Sequence, residues 1–430
     1  MQLTSITAQL RRIVVAAGLA LGALLALAGP AAAHASLVCA TPPNGAVLAA
    51  EPRQLTLRFS EPVTLALSSV RVIGPDGRRV DSGPLRGADS GGGAATVAMA
   101  LSAEERPGTF VLNWRATAAD DGHTTTGTLT FSVGAPSRTI AAGGAERSDP
   151  VTDAVLNLAV WLGFAGLAAL VGYAAIRLYC LPPGAPTELR WPATLGWTAL
   201  LAGTLLQLFS YGPATQGESL AHLADRNLLA ATLPTDEGKV LVARILLLAL
   251  TAAAGGPLLR RSVPGGIAAV ALTLLLALTW SETSHAAEGT LVPIALLVTT
   301  LHVAAMAVWA GGLLTLAVLL QRGSSAPLLT TTARFSRLAF GAVGLLVVTG
   351  LYQAFRELGS PAALTGTPYG RLLLAKAGVL LAVLAVAAVG RSRLSRRDTL
   401  PSRAVLLELA GATVLLVITV LLIGSAPAGR

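Results

Sequence analysis

Hydrophobic and polar positions follow two different rhythms along this chain, and the change falls near residue 150. Between residues 34 and 134 apolar and polar residues alternate over short stretches: Gln54–Phe59, Ser69–Ile73, Thr96–Leu101, Thr109–Arg115 and Thr126–Val133. A period of two sends successive side chains to opposite faces of a strand. Turn signals separate the stretches, at Pro42-Pro43-Asn44-Gly45, Pro75-Asp76-Gly77, the Gly/Ser segment 87–93 and Pro107-Gly108. Short strands punctuated in this way predict an all-β domain, a sandwich or a barrel. Its length of about 100 residues suffices for one small core. After residue 150 the alternation gives way to unbroken apolar runs at 154–178, 193–211, 240–259, 263–280, 291–320, 338–355, 372–390 and 404–424. Each is near the roughly 20 residues that a span needs, the run at 263–280 being short. They predict an all-α polytopic membrane domain, 151–430, of about eight transmembrane helices. Residues 135–150, rich in Ala, Gly, Ser and Pro, predict a flexible linker.

Composition supports the membrane assignment. Of 430 residues 53% are hydrophobic and 12% charged, too apolar a balance for a soluble globular protein. A net charge of +9 is a level also met in nucleic-acid binders. However, the arginines cluster between the apolar runs, where cytoplasmic loops would lie, so no nucleic acid partner is expected. Residues 1–33 have the form of a signal peptide: Arg11-Arg12, the apolar stretch Ile13–Ala28, a Gly29-Pro30 break, then Ala31-Ala32-Ala33 before a cut at His34. The alternative is an uncleaved anchor. An export signal leaves the β-domain outside. Arg177, Arg260, Arg261, Arg322, Arg334, Arg391 and Arg396 then fall on inner loops or inner span ends, as the positive-inside rule asks. The expected location is the cytoplasmic membrane, multi-pass, with the N-terminal domain extracytoplasmic.

The candidate chemistry is concentrated in few residues, because the chain has only five histidines and three methionines. Cleavage would make His34 the mature N-terminus. Its free amine and imidazole Nδ1 could then chelate one metal, and such nitrogen donors suit Cu(II). Asp121 and His123, in the turn Asp120-Asp121-Gly122-His123, lie two apart, on one face of an extended backbone, and could complete that site. Met99 is the only methionine of the exported domain, which argues for Cu(II) over Cu(I) there. The plainer reading of His123 is a solvated loop histidine. The two cysteines, Cys39 and Cys180, fall on opposite sides of the membrane and should not pair; Cys39 is expected to be a buried structural thiol.

Within the spans, polar residues are functional candidates by default. His302 lies eleven residues past Leu291, about 16 Å along a helix and near the bilayer centre. Met306 is one turn on, on the same face. Together they could hold Cu(I), or else His302 bonds across helices and Met306 fills a gap. His285, just past Trp280, would stand at the outer mouth. His222 lies in the outer loop 212–238. Lys376 is expected to snorkel outward and is not expected to pair with Glu408.

Several of these residues carry a resemblance. His34-Ala35, Pro43-Asn44-Gly45, Phe59-Ser60-Glu61-Pro62-Val63 and Asp121-Gly122-His123 look like a CopC-type copper-binding domain. Trp280 with His285-Ala286-Ala287, Leu301-His302 with Trp309-Ala310-Gly311-Gly312, Arg334-Phe335-Ser336 and Tyr369-Gly370 to Lys376 resemble the CopD-type membrane domain. The resemblance implies an Ig-like, Greek-key β-sandwich that binds Cu(II) through His34, Asp121 and His123, with Glu61 as a carboxylate behind them. It also implies a membrane copper path for which His285, His302 and Met306 are the candidates, and copper import or resistance as the function. The implied partners are copper ions, the bilayer, and extracytoplasmic copper chaperones or cuproproteins. Three other readings compete: sequestration without transport, an oxidative enzyme using an N-terminal histidine brace, and a haem-binding electron carrier. The enzyme reading is disfavoured because Asp121 would occupy the position that oxygen needs. A haem would need two axial histidines at matched depth, and only His302 is clearly inside a span. No nucleotide-binding G-x-x-x-x-G-K-[ST] motif is present, which disfavours ATP-driven pumping.

Overall fold

The computed structural model describes residues 35–88, 94–102, 107–119, 124–137, 149–182, 191–258, 262–282, 291–321, 327–358, 360–397 and 402–423. Eight strands come first: β1 (Leu37–Thr41), β2 (Ala46–Leu48), β3 (Gln54–Val63), β4 (Ser69–Ile73), β5 (Asp81–Gly87), β6 (Ala94–Leu101), β7 (Gly108–Thr117) and β8 (Thr124–Val133). They form two four-stranded sheets, ordered β1-β3-β6-β5 and β2-β8-β7-β4. Their inner faces share one core, so the domain is a sandwich and not a barrel. Alternation decides what enters that core. On β3, Leu55, Leu57, Phe59 and Val63 are buried, while Gln54, Arg58, Ser60 and Pro62 face out. Trp114 of β7 meets Phe59 edge-on at 5.3 Å between ring centroids. Its partner in register on β8 is Gly127, where a Cβ would collide with the indole.

The helices are α1 (Pro150–Ala175, ending in a π turn, Ile176–Cys180), α2 (Trp191–Gln216), α3 (Arg226–Thr232), α4 (Asp236–Leu258), α5 (Val263–Ser281), α6 (Val292–Gln321), α7 (Pro327–Leu358), α8 (Ala363–Gly366), α9 (Pro368–Arg397) and α10 (Ser402–Ile423). Among the described residues, eight helices are long and apolar enough to cross a membrane; α3 and α8 are short. The run expected to be short is a 19-residue helix, α5, begun by Ser262, whose side chain caps Gly265 N–H.

The chain divides into two compact units. One gathers the β-domain and the start of α1 with Leu206–Val242; the other holds Asn157–Leu205 and Ala243–Arg430. In the first unit the loop expected at 212–238 is structured and bonded to the sandwich. Arg115 of β7 donates from Nη1 to the carbonyls of Ala214 and Thr215, at 2.8 and 3.1 Å. Those carbonyls belong to the last turn of α2, which carries partial negative charge; that of Ala214 also accepts from Gly217 N–H at 3.2 Å. Gln216 answers by donating from Nε2 to the carbonyls of Ala66 and Ser68. Gln207 and Glu237, both buried, join the ends of α2 and α4 by a 2.6 Å bond. The β-domain is thus fastened to this segment, whereas the linker alone suggests a freely moving domain.

The second unit packs by close backbone approach. A Cβ on Gly311 of α6 would strike the Ala168 carbonyl of α1, and Gly172 of α1 stands equally close to Gly311-Gly312. Small residues let apolar helices meet at this range, where dispersion and not hydrophobic exclusion drives association. Gly311→Val is expected to cost at least ~3 kcal/mol, since the obstructing atoms are backbone and cannot rotate away. A lower melting temperature of the solubilised protein would show it; an unchanged one would contradict this packing.

Candidate metal-handling sites

Period-two alternation on β3 places Glu61 fourth among its five inward positions, between Phe59 and Val63. It is 7% exposed, and both carboxylate oxygens are shielded from solvent. Burying a carboxylate among apolar side chains is costly unless a charged or hydrogen-bonded partner compensates. The backbone around it is closely tied. Ser36 N–H donates to Ser60 Oγ at 3.0 Å, and Ser60 N–H returns a bond to the Ser36 carbonyl at 2.8 Å. Thr125 Oγ1 donates to the Ala35 carbonyl at 2.7 Å. Ala119 N–H donates to the Pro62 carbonyl at 2.9 Å. Residues adjoining position 34, and residues on both sides of 121–123, are therefore gathered around the end of β3 that carries Glu61. His34, Asp121 and His123 themselves lie outside the described residues, as does His285. Among the described residues no group of three His, Cys, Asp or Glu side chains comes together to hold a metal.

Cys39 corrects an expectation. It is exposed and not buried. β1 is an edge strand, and Cys39 occupies an outward position opposite Arg58, whose Nε donates to its sulfur at 3.3 Å. Cys180 is buried at the end of the π turn. His222 is exposed and pairs with Glu218 at 3.7 Å, an i,i+4 contact.

His302 is partly buried on α6, ten residues past Val292 and about 15 Å along the helix. Its Nδ1 lies 2.8 Å from Thr349 Oγ1 on α7. The same hydroxyl donates to the Leu345 carbonyl at 2.6 Å, which can only accept. A hydroxyl has a single proton, so when Thr349 gives it to that carbonyl, Nδ1–H of His302 is the donor to Thr349. The neutral ring then carries its lone pair on Nε2. This is how outer partners fix the tautomer and orientation of a ligating imidazole. The bond across helices expected of a purely structural histidine is present, yet it consumes only one of the two nitrogens. Met306 follows one turn later and packs partly buried against both helical cores. Above this pair, Gln353 donates from Nε2 to Thr299 Oγ1 at 3.1 Å, continuing the polar contact between α6 and α7. Lys376 on α9 is partly buried.

Thr349→Val keeps the shape of the side chain and removes the acceptor for Nδ1–H. It is expected to weaken Cu(I) binding to the membrane domain by about 10- to 100-fold, read by competition with a chromogenic Cu(I) chelator. Unchanged competition would show that the tautomer lock is irrelevant to the metal.

Sequence reasoning passed over Arg244, the one charge in the middle of the third apolar run. It is fully buried on α4. Its Nε donates to Thr279 Oγ1 at 2.9 Å and Nη2 to the Thr279 carbonyl at 3.1 Å. The guanidinium lies 3.6 Å above the Trp280 ring, which stacks on Phe164. Together these contacts fix the end of α5 immediately before the segment that contains His285.

A β-sandwich followed by eight membrane-length helices defines a multi-pass membrane protein with an appended globular domain. Family models say of which kind. The CopC domain matches residues 37–134, the copper resistance protein D-like N-terminal domain residues 151–293, and copper resistance protein D residues 329–426. "Copper resistance protein C" of Pseudomonas syringae pv. tomato is 33% identical over 121 residues, 27% of this chain and 90% of that protein. "Copper transport protein CutJ" of Bacillus subtilis (strain 168) is 26% identical over 374 residues, covering 83% of this chain and 67% of that protein. The crystal structure of CopC from Methylosinus trichosporium OB3b aligns with 25% of this chain and 98% of its own, at 27% identity and a TM-score of 0.21. The chain belongs to the copper resistance and transport family, with a CopC domain and a CopD domain in one polypeptide.

Proposed function

We propose that this protein captures Cu(II) outside the cytoplasmic membrane and passes copper inward across it. On this reading residues 1–33 are removed on export and His34, as the new N-terminus, binds Cu(II) with Asp121 and His123. Glu61 stands behind the site, where its buried carboxylate balances the charge of the metal. The gathering of the flanking residues around Glu61 supports this placement. Copper then moves toward His285 and on to His302 and Met306. The thioether of Met306 favours Cu(I) for the inner step, so a one-electron reductant outside this chain must convert Cu(II) to Cu(I) between the two sites. Joining the capture domain and the spans in one chain keeps captured copper at high effective concentration for the transfer.

The single observation that carries the transport reading is the state of His302. A histidine inside a span is locked by Thr349 with its Nε2 lone pair available, one turn from a methionine. A protein that only sequesters copper outside has no need of that arrangement. The test is the copper content of cells that produce the protein, read with a cytoplasmic copper reporter. Import predicts a raised reporter signal at a fixed external copper level. Sequestration predicts altered copper tolerance with an unchanged or lowered signal.

A further inference from the structure

A second polar feature of the membrane domain plays no part in this copper path. Helices α6, α7, α9 and α10 line a partly open cavity of about 250 Å³. Much of its wall is apolar, with Trp309, Leu313, Phe335 and Val383 among its residues. Glu408 on α10, Thr332 on α7 and Arg391 on α9 interrupt that wall. Glu408 is six residues past Ser402, about 9 Å along the helix and within the last apolar run. An ionisable side chain at such a position is costly and marks a functional site by default.

Arg391 attracts this carboxylate electrostatically without forming an ion pair with it. Its Nη2 donates to the Ser336 carbonyl at 3.1 Å, and its guanidinium stands 4.9 Å over the Phe340 ring. Among the described residues no ion pair joins Arg391 to Glu408. Thr332 supplies an independent observation. It is 3% exposed, lines the cavity, and its Oγ1 is buried with no hydrogen-bond partner among the described residues. A threonine within a helix ordinarily donates to a carbonyl one turn back. Here the hydroxyl is left for something in the cavity, which is large enough for several waters.

We propose that this cavity is a proton-exchange site in which Glu408 takes up and releases the proton and the Thr332 hydroxyl relays it through water. The proposal rests on the transport reading and assigns its coupling ion. The donor set favours a proton over other ions. A hard metal cation wants six or more oxygen ligands, and here it would meet one carboxylate and the positive charge of Arg391. Copper would find no imidazole, thiolate or thioether among the lining residues. An anion would face Glu408.

Arg391 from α9 is the only other charged group that lines the cavity. The lining residues of α6 and α7 carry none, and on its own helix Arg403 precedes Glu408 by little over a turn.

The sign of the coupling follows from charge. Cu(I) at His302 and Met306, which precede the cavity-lining Trp309 on α6, favours the ionised carboxylate and so expels its proton. By linkage, protonation of Glu408 weakens copper binding to the same degree. One Cu(I) moving inward is then exchanged for one proton moving outward: carboxylic acid becomes carboxylate plus proton, and no electrons change hands.

The experiment uses the purified full-length chain, wild type and Glu408→Gln, with Glu408→Asp as a titratable control and melting temperature as the check on folding. Infrared difference spectra between acid and neutral pH should show a protonated-carboxyl band that Glu408→Gln abolishes and Thr332→Val shifts. Anaerobic addition of Cu(I) with a pH dye should release about one proton per copper from wild type and Glu408→Asp, and almost none from Glu408→Gln, which still binds copper. An infrared band unchanged in Glu408→Gln, or equal proton release by that folded variant, would overturn the proposal. Failure of the wild-type membrane domain to bind Cu(I) would instead overturn the transport reading. The infrared comparison would then still decide whether Glu408 exchanges protons.

Discussion

A chain that begins one residue before His34 is expected to bind Cu(II) about 100-fold more weakly, or worse, than the chain that begins at His34. With His34 at the terminus, amine and Nδ1 belong to one residue. Once the imidazole has bound, the amine meets the metal at very high effective concentration. An added residue converts that amine to an amide, which binds no metal until it loses its proton. The imidazole remains, but without its chelate partner. Nothing else about the domain should change, because the bonds that tie the following residues use groups the extension leaves alone: the Ala35 carbonyl held by Thr125, and Ser36 held by Ser60. Cu(II) titration followed by electron paramagnetic resonance reads both affinity and nitrogen ligation. Equal binding by the two forms would remove His34 from the site.

His302→Ala is expected to reduce copper passage to the background of protein-free membranes, while Cu(II) binding by the β-domain is untouched. A cuprous ion entering a low-dielectric span must exchange its hydration shell for protein ligands. Met306 alone offers one weak donor. Alanine removes Nε2 and also leaves Thr349 without its partner from α6. The loss should therefore exceed that of Thr349→Val, which leaves the imidazole in place but free to rotate. If His302→Ala and wild type pass copper equally, the path does not run through α6.

Much of this architecture was legible because it rests on periodicity. Alternation located strands β3, β4, β6, β7 and β8, and apolar runs located all eight long helices. The same alternation puts Glu61 on the inner face of β3. Following that pattern one step further would have singled out a buried carboxylate without any resemblance. Arg244 could likewise have been found as a lone cation within an apolar run, although its contacts with Thr279 and Trp280 required the packing of α4 against α5. Other features left no local trace. β2 is three residues long and exists through its pairing with β8. The exposure of Cys39 depends on β1 lying at a sheet edge. The fastening of Arg115 to the end of α2 joins residues 99 and 100 apart in sequence, and no window along the chain contains both sides of such a contact. The contact of His302 Nδ1 is also a tertiary fact, made with a threonine 47 residues away.

The central claim is that this chain alone moves copper across a bilayer. Purified protein in sealed vesicles, given radioactive copper and a membrane-impermeant reductant such as ascorbate on the face that carries the β-domain, tests it most directly. The account predicts time-dependent accumulation inside wild-type vesicles and background counts in His302→Ala vesicles. Copper that binds to wild-type vesicles but is stripped completely by an external chelator would contradict it, and would make the protein an anchored copper store.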